Sequence, residues 1–215
     1  MAFLGISFLV IAMSYLVGSI PFGLIIGKLN KIDIRRHGSG NIGATNITRA
    51  IGRDWGIACF ILDFLKGLIP VLIIRLINFD DAAIDNLLPL LAVAGTICGH
   101  IWPVFLKFKG GKGMSTSLGA LTALAPLAVA IAMIGWYTVF KMYRYVSLAS
   151  ITAALLLPIG ALFLSLISGY KVNAPTIILL AIICVVIIIR HKSNIHRLIN
   201  GTENKFTQQS KDSKQ

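Results

Sequence analysis

The chain has 215 residues, of which 56% are hydrophobic and only 13% are charged. A soluble domain carries about a quarter charged residues, so this composition excludes an ordinary soluble protein and indicates that lipid solvates much of the chain. The formal net charge of +12 does not indicate a nucleic-acid partner, because the basic residues lie beside the apolar stretches. In that position, positive charge marks the cytoplasmic ends of membrane spans.

Six apolar stretches are long enough to cross a bilayer, which takes about 20 residues. Five contain no Asp, Glu, Lys or Arg, and the second contains only Asp63 and Lys66. The first stretch is followed, not preceded, by a basic residue, Lys28, which argues against a cleavable signal peptide and predicts an external N-terminus. In chain order the stretches are 1–27, 55–74, 86–106, 114–140, 146–170 and 172–189.

The stretch at 114–140 decides between six and seven crossings. If it turns near Ala125–Pro126 as a hairpin of two helices, 17 of the 20 Lys and Arg residues lie in the cytoplasm, whereas a single crossing leaves 10 there. The three exceptions in the hairpin topology are Lys66, Arg75 and Lys171. We therefore predict an all-α integral membrane protein with seven transmembrane helices, its N-terminus outside and its C-terminus in the cytoplasm. The two central helices, of about 13 residues each, would reach only about 20 Å and are expected to be short.

The predicted membrane domain covers residues 1–200 as a single seven-helix unit. Residues 201–215 are polar and contain few apolar side chains, so we predict a flexible cytoplasmic tail there. Three polar segments, at 37–49, 99–117 and 191–205, fall on the same cytoplasmic face as this tail.

The first polar segment combines glycines with hydroxyl and amide side chains. Its glycines allow backbone N–H groups to turn toward a ligand. Thr45 or Asn46 is expected to cap a short helix that carries Arg49, an arrangement suited to an anion. The alternative is a capped turn between two helices, with Arg49 binding lipid headgroups. The candidate ligand-binding residues are Ser39, Gly40, Asn41, Gly43, Thr45, Asn46 and Arg49.

The second polar segment surrounds Lys112 with glycines immediately before an apolar helix. A flexible loop that enters a helix N-terminus with one lysine suits a phosphate. It is not a Walker A loop, which would need Gly and then Ser or Thr where this chain has Leu106 and Gly113. The alternative is a basic interfacial loop that anchors the span. The glycines concerned are Gly110, Gly111 and Gly113.

The third polar segment continues the last apolar stretch. If it is helical, His191, Asn194 and Arg197 recur every three residues and form one polar stripe. An adjacent apolar stripe that includes Ile195 and Leu198 suits a helix lying on the protein or membrane surface. The alternative is an amphipathic helix at the membrane surface that binds no substrate.

Two further features leave alternatives open. Asp63 and Lys66 lie three residues apart within the second apolar stretch. They form either a structural ion pair or part of a substrate site, because charges inside a membrane are costly and often functional. Ser147 begins the 146–170 stretch at the cytoplasmic face and either binds substrate or caps its helix.

We expect no metal site. The three cysteines lie singly in apolar stretches, and the acidic residues nearest the polar segments, Asp33, Asp54 and Glu203, are scattered. Neither a zinc nor a magnesium site is therefore supported. A group of hydrogen-bond donors and cations without acids favours an anionic substrate, specifically a phosphate.

The three segments resemble the bacterial acyl-phosphate:glycerol-3-phosphate acyltransferases, the PlsY family, nearly from end to end. The resemblance rests on SGNIGATN at 39–46, FKGGKG at 108–113, HKSNIHRL at 191–198 and GTE at 201–203. It implies an enzyme that transfers a fatty acyl group from acyl phosphate to the sn-1 hydroxyl of glycerol 3-phosphate. The products would be lysophosphatidate and phosphate, in the first acylation step of phospholipid synthesis.

The resemblance also implies a location, partners and residue roles. The enzyme would span the bacterial inner membrane several times without a cofactor, face the cytoplasm with its active site, contact membrane lipids and couple functionally to a soluble acyl-phosphate synthase. The glycerol 3-phosphate and reaction centre would comprise Ser39, Arg49, Lys112, His191 and Asn194. The acyl phosphate would be held by Thr45, Gly110–Gly113 and Ser147, with Gly40, Asn41, Gly43, Asn46, Arg197 and Glu203 as further binding residues.

The sequence disfavours another acyltransferase mechanism and two other classes of protein. The His-x4-Asp dyad of another large group of glycerol-phosphate acyltransferases is absent, because the fifth residue after each histidine is not acidic. A transporter of organic phosphate would place its site near the membrane midplane, whereas these segments lie at one face. A lipid-binding scaffold would not need the loop around Lys112. His191 is either the general base or a positioning group for proton transfer to a substrate phosphate, and we favour the second.

Overall fold

The computed structural model describes residues 2–167 and 172–206, and these residues form α-helices without a β-strand. The chain divides into two compact units, residues 1–129 and residues 130–215. The helices are α1 (Ala2–Gly18), α2 (Phe22–Leu29), α3 (Ala44–Ala50), α4 (Arg53–Leu76), α5 (Ala82–Ile101), α6 (Met114–Leu124), α7 (Pro126–Tyr143), α8 (Val146–Ile167), α9 (Ala174–Arg190) and α10 (Lys192–Ile199).

The described residues contain five helical stretches long and apolar enough to cross a membrane, or six if α9 and α10 count as one bent span. The break expected near Ala125–Pro126 is present. The helical conformation is disfavoured for a residue that precedes proline, and the backbone of Ala125 is not helical. The lengths differ from expectation. Helix α6 has 11 residues, so it reaches about 16 Å, but α7 has 18 and continues to Tyr143. Only one of the two central helices is short.

Close packing of α1 against α5 depends on glycines. An added Cβ at Gly18 would overlap the backbone of Thr96, and one at Gly99 would overlap the backbone of Tyr15 and Ser19. Small residues spaced four apart let membrane helices approach this closely, and Gly95 precedes Gly99 by four. The two backbones therefore touch.

Gly99→Ala is expected to lower the free energy of unfolding by about 1–3 kcal/mol, the usual cost of overpacking, because the new Cβ meets backbone atoms of α1 that cannot move aside. Gly5→Ala is the matched control, since a Cβ at that helical position meets nothing within 4 Å. Thermal unfolding in detergent measures both. Equal melting temperatures for the two variants would contradict this account of the α1–α5 contact.

The short helix α6 is held by α4. The helices meet at Gly67 and Gly119, where an added Cβ would overlap the partner's backbone. At the far end of α4, the Arg75 guanidinium donates to the carbonyl oxygens of Ala123 and Leu124. These carbonyls end α6, and in a bilayer an unsatisfied carbonyl is costly. Arg75 thus allows α6 to end where it does.

In the second unit, the residues that follow α10 are anchored. The Phe206 N–H donates to the Arg144 carbonyl at 2.8 Å, and the Phe206 ring lies edge-on to Phe140 with centroids 5.8 Å apart. Phe206, within the predicted flexible tail of residues 201–215, therefore contacts α7 and the turn that follows it. Residues 207–215 lie outside the described residues.

Candidate active site

The predicted site residues are divided between the two units. The first unit holds the segments at 37–49 and 99–117, and the second holds Ser147 and the segment at 191–205. Within each unit, the structure shows which side chains meet.

Asn46 is the centre of the first segment. Its Oδ1 accepts the Ser39 N–H at 2.9 Å. Its Nδ2 donates to the carbonyl oxygens of His37 and Asn41, at 3.0 and 2.8 Å, and lies 3.3 Å from that of Ile34. The side chain is only 2% exposed. The Asn46 amide, predicted to bind substrate, makes these four contacts with the backbone of the loop.

Two glycines in this loop have positive φ. Gly38 has φ of 57° and Gly40 of 69°, a conformation that other residues rarely adopt. A Cβ at Gly38 would also overlap Asn46 Oδ1. These glycines therefore shape the loop around the buried amide.

The helix that carries Arg49 begins differently from the prediction. Gly43 precedes α3 without a side-chain cap, so capping by Thr45 or Asn46 is wrong. Arg49 lies in the last turn of this seven-residue helix. Ile47 of the same helix is fully buried, so packing holds α3 in place.

One hydrophobic cluster, which we call the loop cluster, lies beneath both glycine-containing segments of the first unit. Leu106, four residues before Gly110, packs against it together with Ala44 of the first segment and Ile51, which follows α3. Its buried members are Leu24, Ile26, Ile34, Ile42, Ile47 and Cys59. The first segment and the chain entering the second therefore fold over the same core.

A surface ion pair precedes the first segment. Arg35 donates to the Asp33 carboxylate through Nε at 2.9 Å, and this hydrogen bond lowers the pKa of Asp33 to about 2. Arg36 Nε lies 3.9 Å from the same carboxylate. Asp33 is therefore ionised at neutral pH and offsets part of the basic charge beside the loop.

The glycines around Lys112 are needed for packing onto α5. The Gly110 N–H donates to the Ile101 carbonyl at 3.2 Å, and the Gly111 N–H to the His100 carbonyl at 3.1 Å. A Cβ at Gly110 would overlap that carbonyl of His100, and Gly113 has φ of 83°. The N–H groups of Gly110 and Gly111 thus satisfy the last carbonyls of α5.

Asp63 and Lys66 form a buried ion pair. Lys66 Nζ lies 2.8 Å from Asp63 Oδ1 and donates to the Ile20 carbonyl at 2.7 Å. His100 Nδ1 lies 3.8 Å from the same Asp63 oxygen and 3.0 Å from Thr116 Oγ1. The predicted pairing of Asp63 with Lys66 is confirmed. Sequence reasoning assigned no role to His100, although an ionisable residue inside an apolar stretch is itself a signal.

In the second unit, His191 lies at the 59° bend between α9 and α10 and is 2% exposed. Its Nδ1 lies 2.8 Å from the Ile187 carbonyl. A carbonyl only accepts, so Nδ1 carries the proton, and Nε2 of the neutral ring is an acceptor.

Glu203 joins the remaining residues of the second unit. Its Oε1 accepts from Ser147 Oγ at 2.8 Å and Asn194 Nδ2 at 2.7 Å, and its Oε2 from Arg197 Nε at 2.6 Å. Burial raises the pKa of Glu203, but the three hydrogen bonds outweigh it and the pKa lies below its ordinary value. Asn194 and Arg197 share a helix face as predicted, but Glu203, expected to bind substrate, binds these two residues and Ser147. Ser147 lies within α8 rather than capping it.

Among residues 2–167 and 172–206, no three His, Cys, Asp or Glu side chains are grouped so as to hold a metal ion. The positive and hydrogen-bonding groups described above instead suit an anion.

Comparison with known proteins identifies the family. Residues 8–201 match the family model of glycerol-3-phosphate acyltransferase. The glycerol-3-phosphate acyltransferase of Aquifex aeolicus is 44% identical over 199 residues, which cover 93% of this chain and 98% of that protein. The chain belongs to the glycerol-3-phosphate acyltransferase family. The glycerol-3-phosphate acyltransferase of Trichlorobacter lovleyi is 46% identical to this chain, over 91% of this chain and 95% of that protein.

Solved structures of the glycerol-3-phosphate acyltransferase family share the fold. The integral membrane glycerol 3-phosphate acyltransferase PlsY in its glycerol 3-phosphate form superposes with a TM-score of 0.82 and 41% identity, covering 94% of this chain and 96% of that one. Its lysophosphatidic acid form gives a TM-score of 0.79 at 40% identity, covering 94% and 95%. The PlsY resemblance inferred from the three motifs is confirmed.

Proposed function

We propose that this member of the family transfers a fatty acyl group from acyl phosphate to the sn-1 hydroxyl of glycerol 3-phosphate, releasing lysophosphatidate and phosphate as the first acylation step of phospholipid synthesis. The observation that carries the proposal is the loop cluster: the first segment, with Arg49, and the chain leading to Lys112 fold over one core. Two cationic loops suit two phosphorylated substrates. The similar PlsY structures in glycerol 3-phosphate and lysophosphatidic acid forms agree with this acceptor and this product.

The proposed centre for glycerol 3-phosphate and reaction comprises Ser39, Arg49, Lys112, His191 and Asn194. Arg49 and Lys112 would neutralise phosphate charge. Because the Gly110 and Gly111 N–H groups already donate to α5, we assign stabilisation of the carbonyl oxyanion to the Lys112 side chain. We assign acyl phosphate binding to Thr45, the loop Gly110–Gly113 and Ser147, with Gly40, Asn41 and Gly43 as further binding residues.

The proposed reaction is a direct acyl transfer. The acceptor hydroxyl attacks the carbonyl carbon of acyl phosphate, a C–O ester bond forms, and the bond from that carbon to the phosphate oxygen breaks. The hydroxyl proton passes to an oxygen of the substrate phosphate. His191 Nε2 accepts a hydrogen bond from the hydroxyl and orients it, since Nδ1 is held by the Ile187 carbonyl.

The His191→Gln variant is expected to raise the KM for glycerol 3-phosphate about tenfold, the equivalent of one hydrogen bond, with kcat changed less than threefold. His196→Gln is the matched control, because His196 lies on α10 and contacts Asn200 at an exposed position. Initial rates across a pH series measure both. A collapse of kcat with loss of the pH dependence at the acidic side, where a general base becomes protonated, would identify His191 as the general base instead.

We also propose the membrane arrangement that suits these substrates. Seven crossings would put the N-terminus outside and the C-terminus in the cytoplasm, in the bacterial inner membrane. Residues 1–200 would act as one domain with the site facing the cytoplasm, where glycerol 3-phosphate is dissolved. The acyl phosphate would come from a soluble acyl-phosphate synthase, and membrane lipids would surround the helices.

The deciding experiment supplies purified protein with palmitoyl phosphate and labelled glycerol 3-phosphate. We expect lysophosphatidate and phosphate in equal amounts, and no product when palmitoyl-CoA replaces palmitoyl phosphate. Formation of lysophosphatidate from palmitoyl-CoA alone would contradict the proposal that acyl phosphate is the donor. Uptake of labelled glycerol 3-phosphate into vesicles without any acylation would instead favour a transporter.

A further inference from the structure

A buried histidine outside the proposed reaction centre contacts the loop that carries Lys112. His100 lies in the last turn of α5 and is 5% exposed. Its Nδ1 lies 3.0 Å from Thr116 Oγ1 on α6 and 3.8 Å from Asp63 Oδ1 on α4. The ring is therefore placed by side chains from two other helices.

The opposite edge of the same ring lies against the glycine loop. A Cβ added at Gly111 would overlap Nε2 of His100 and approach two of its ring carbons at 3.1 Å. The Gly111 N–H also donates to the His100 carbonyl at 3.1 Å. One residue thus supports Gly111 through its backbone and through its side chain, immediately before Lys112.

The groups that place His100 are themselves fixed. Lys66 Nζ lies 2.8 Å from Asp63 Oδ1 and donates to the Ile20 carbonyl between α1 and α2. Removing two charges from water is expensive and often yields no net stability. A buried pair that joins α4 to the α1–α2 junction and faces His100 is better explained by the geometry it maintains.

We propose that His100 is a positioning residue: its imidazole, held by Thr116 and faced by Asp63, supports the loop at Gly111 and thereby sets the place of Lys112. This inference rests on the proposed function, in which Lys112 binds phosphate and the carbonyl oxygen. A displacement of about 1 Å in such a group lowers the rate by about 10²-fold.

The test compares His100→Leu, which keeps most of the volume but no polar atom, with His100→Gln, whose amide retains a polar group at the Nε2 edge. We expect kcat/KM to fall by about 10²-fold in the leucine variant and to recover at least about tenfold in the glutamine variant. Hydrogen exchange of the 108–113 peptide should accelerate in His100→Leu, while peptides from α8 to α10 keep wild-type rates.

Thr96→Val is the matched control. Thr96 is a buried residue one turn earlier on α5, and its hydroxyl donates to the Val93 carbonyl of the same helix. Its kcat/KM should stay within about twofold of wild type. Should His100→Leu not fold, Thr116→Val removes the hydroxyl that holds Nδ1, and a loss of about tenfold is expected.

Three results would overturn the inference: a leucine variant within threefold of wild type, a glutamine variant no better than leucine, or exchange that accelerates equally in all helices. Failure of the proposed function is separately visible. In that case the wild-type protein gives no lysophosphatidate from palmitoyl phosphate, while the exchange of the 108–113 peptide still tests the contact of His100 with the loop.

Discussion

Replacing Lys112 with methionine is expected to lower kcat/KM for acyl transfer by about 10²–10³-fold, the usual effect of removing one group that stabilises an oxyanion. The reason is structural. The neighbouring Gly110 and Gly111 N–H groups donate to the last carbonyls of α5, so they do not replace the lost charge. Initial rates with palmitoyl phosphate and glycerol 3-phosphate measure the effect.

Lys109→Met is the matched control for Lys112→Met. Lys109 belongs to the same loop and is exposed, so its replacement removes the same charge and adds the same side chain. We expect a change of less than about threefold, since an exposed charge is screened by solvent. Equal losses in both variants would mean that the total charge of the loop matters, not the position of Lys112, and would contradict the proposed oxyanion role.

The Glu203→Gln variant is expected to destabilise the second unit and to lower kcat/KM by about tenfold or more. Glutamine presents an N–H group where the carboxylate accepted the Arg197 N–H, so one donor faces another. We expect the free energy of unfolding to fall by about 2 kcal/mol, which lies in the lower part of the range for hydrogen bonds to charged groups. The lower part applies because Arg197 is partly exposed and its charge is screened by solvent. Asn194 also loses its charged partner, and with it a fixed position beside His191.

Asp33→Asn provides the control for Glu203→Gln, because it also removes a carboxylate that pairs with an arginine, but at an exposed position. Thermal unfolding should show a clear shift for Glu203→Gln and almost none for Asp33→Asn. An unshifted Glu203→Gln protein with wild-type kinetics would contradict the anchoring role.

The stabilisation from Glu203 should depend on pH. The hydrogen bonds lower its pKa in the folded protein, so its contribution is present above the ordinary glutamate pKa and is lost as the pH falls through the folded value. Below that pH, the wild-type and Glu203→Gln proteins are expected to melt at similar temperatures. A constant difference between them from neutral to acidic pH would contradict this linkage.

Local chemistry explains why most of the helical architecture was predictable. A bilayer selects long apolar stretches, and a proline breaks a helix at the residue before it, so the break at Ala125 followed from the sequence. The length of α7 did not. It continues past Lys141, because the long aliphatic stem of a lysine lets the charge reach a polar region.

The candidate site was predictable as a set of segments but not as a set of contacts. Lys112, His191 and Arg49 stand in three segments that together favour a phosphate, although each segment alone leaves an alternative open. Asn46 has a polar side chain in the same loop, but its use as the buried hub depends on carbonyls that converge only after folding. Ser147 and Glu203, 56 residues apart, likewise meet through a contact that no spacing indicates.

The sequence alone therefore predicted that the protein is membrane-embedded, where most of its helices lie and which family it resembles. Hydropathy and short motifs depend only on residues that are neighbours in the chain. Only the tertiary structure determined the partner of each polar group. The Gly110 and Gly111 N–H groups donate to carbonyls of α5, Glu203 accepts from three side chains including Ser147, and the His100 ring lies against Gly111. The physical reason is that a hydrogen bond depends on distance and angle in space. Residues that are far apart in the sequence reach that distance and angle only when their helices pack.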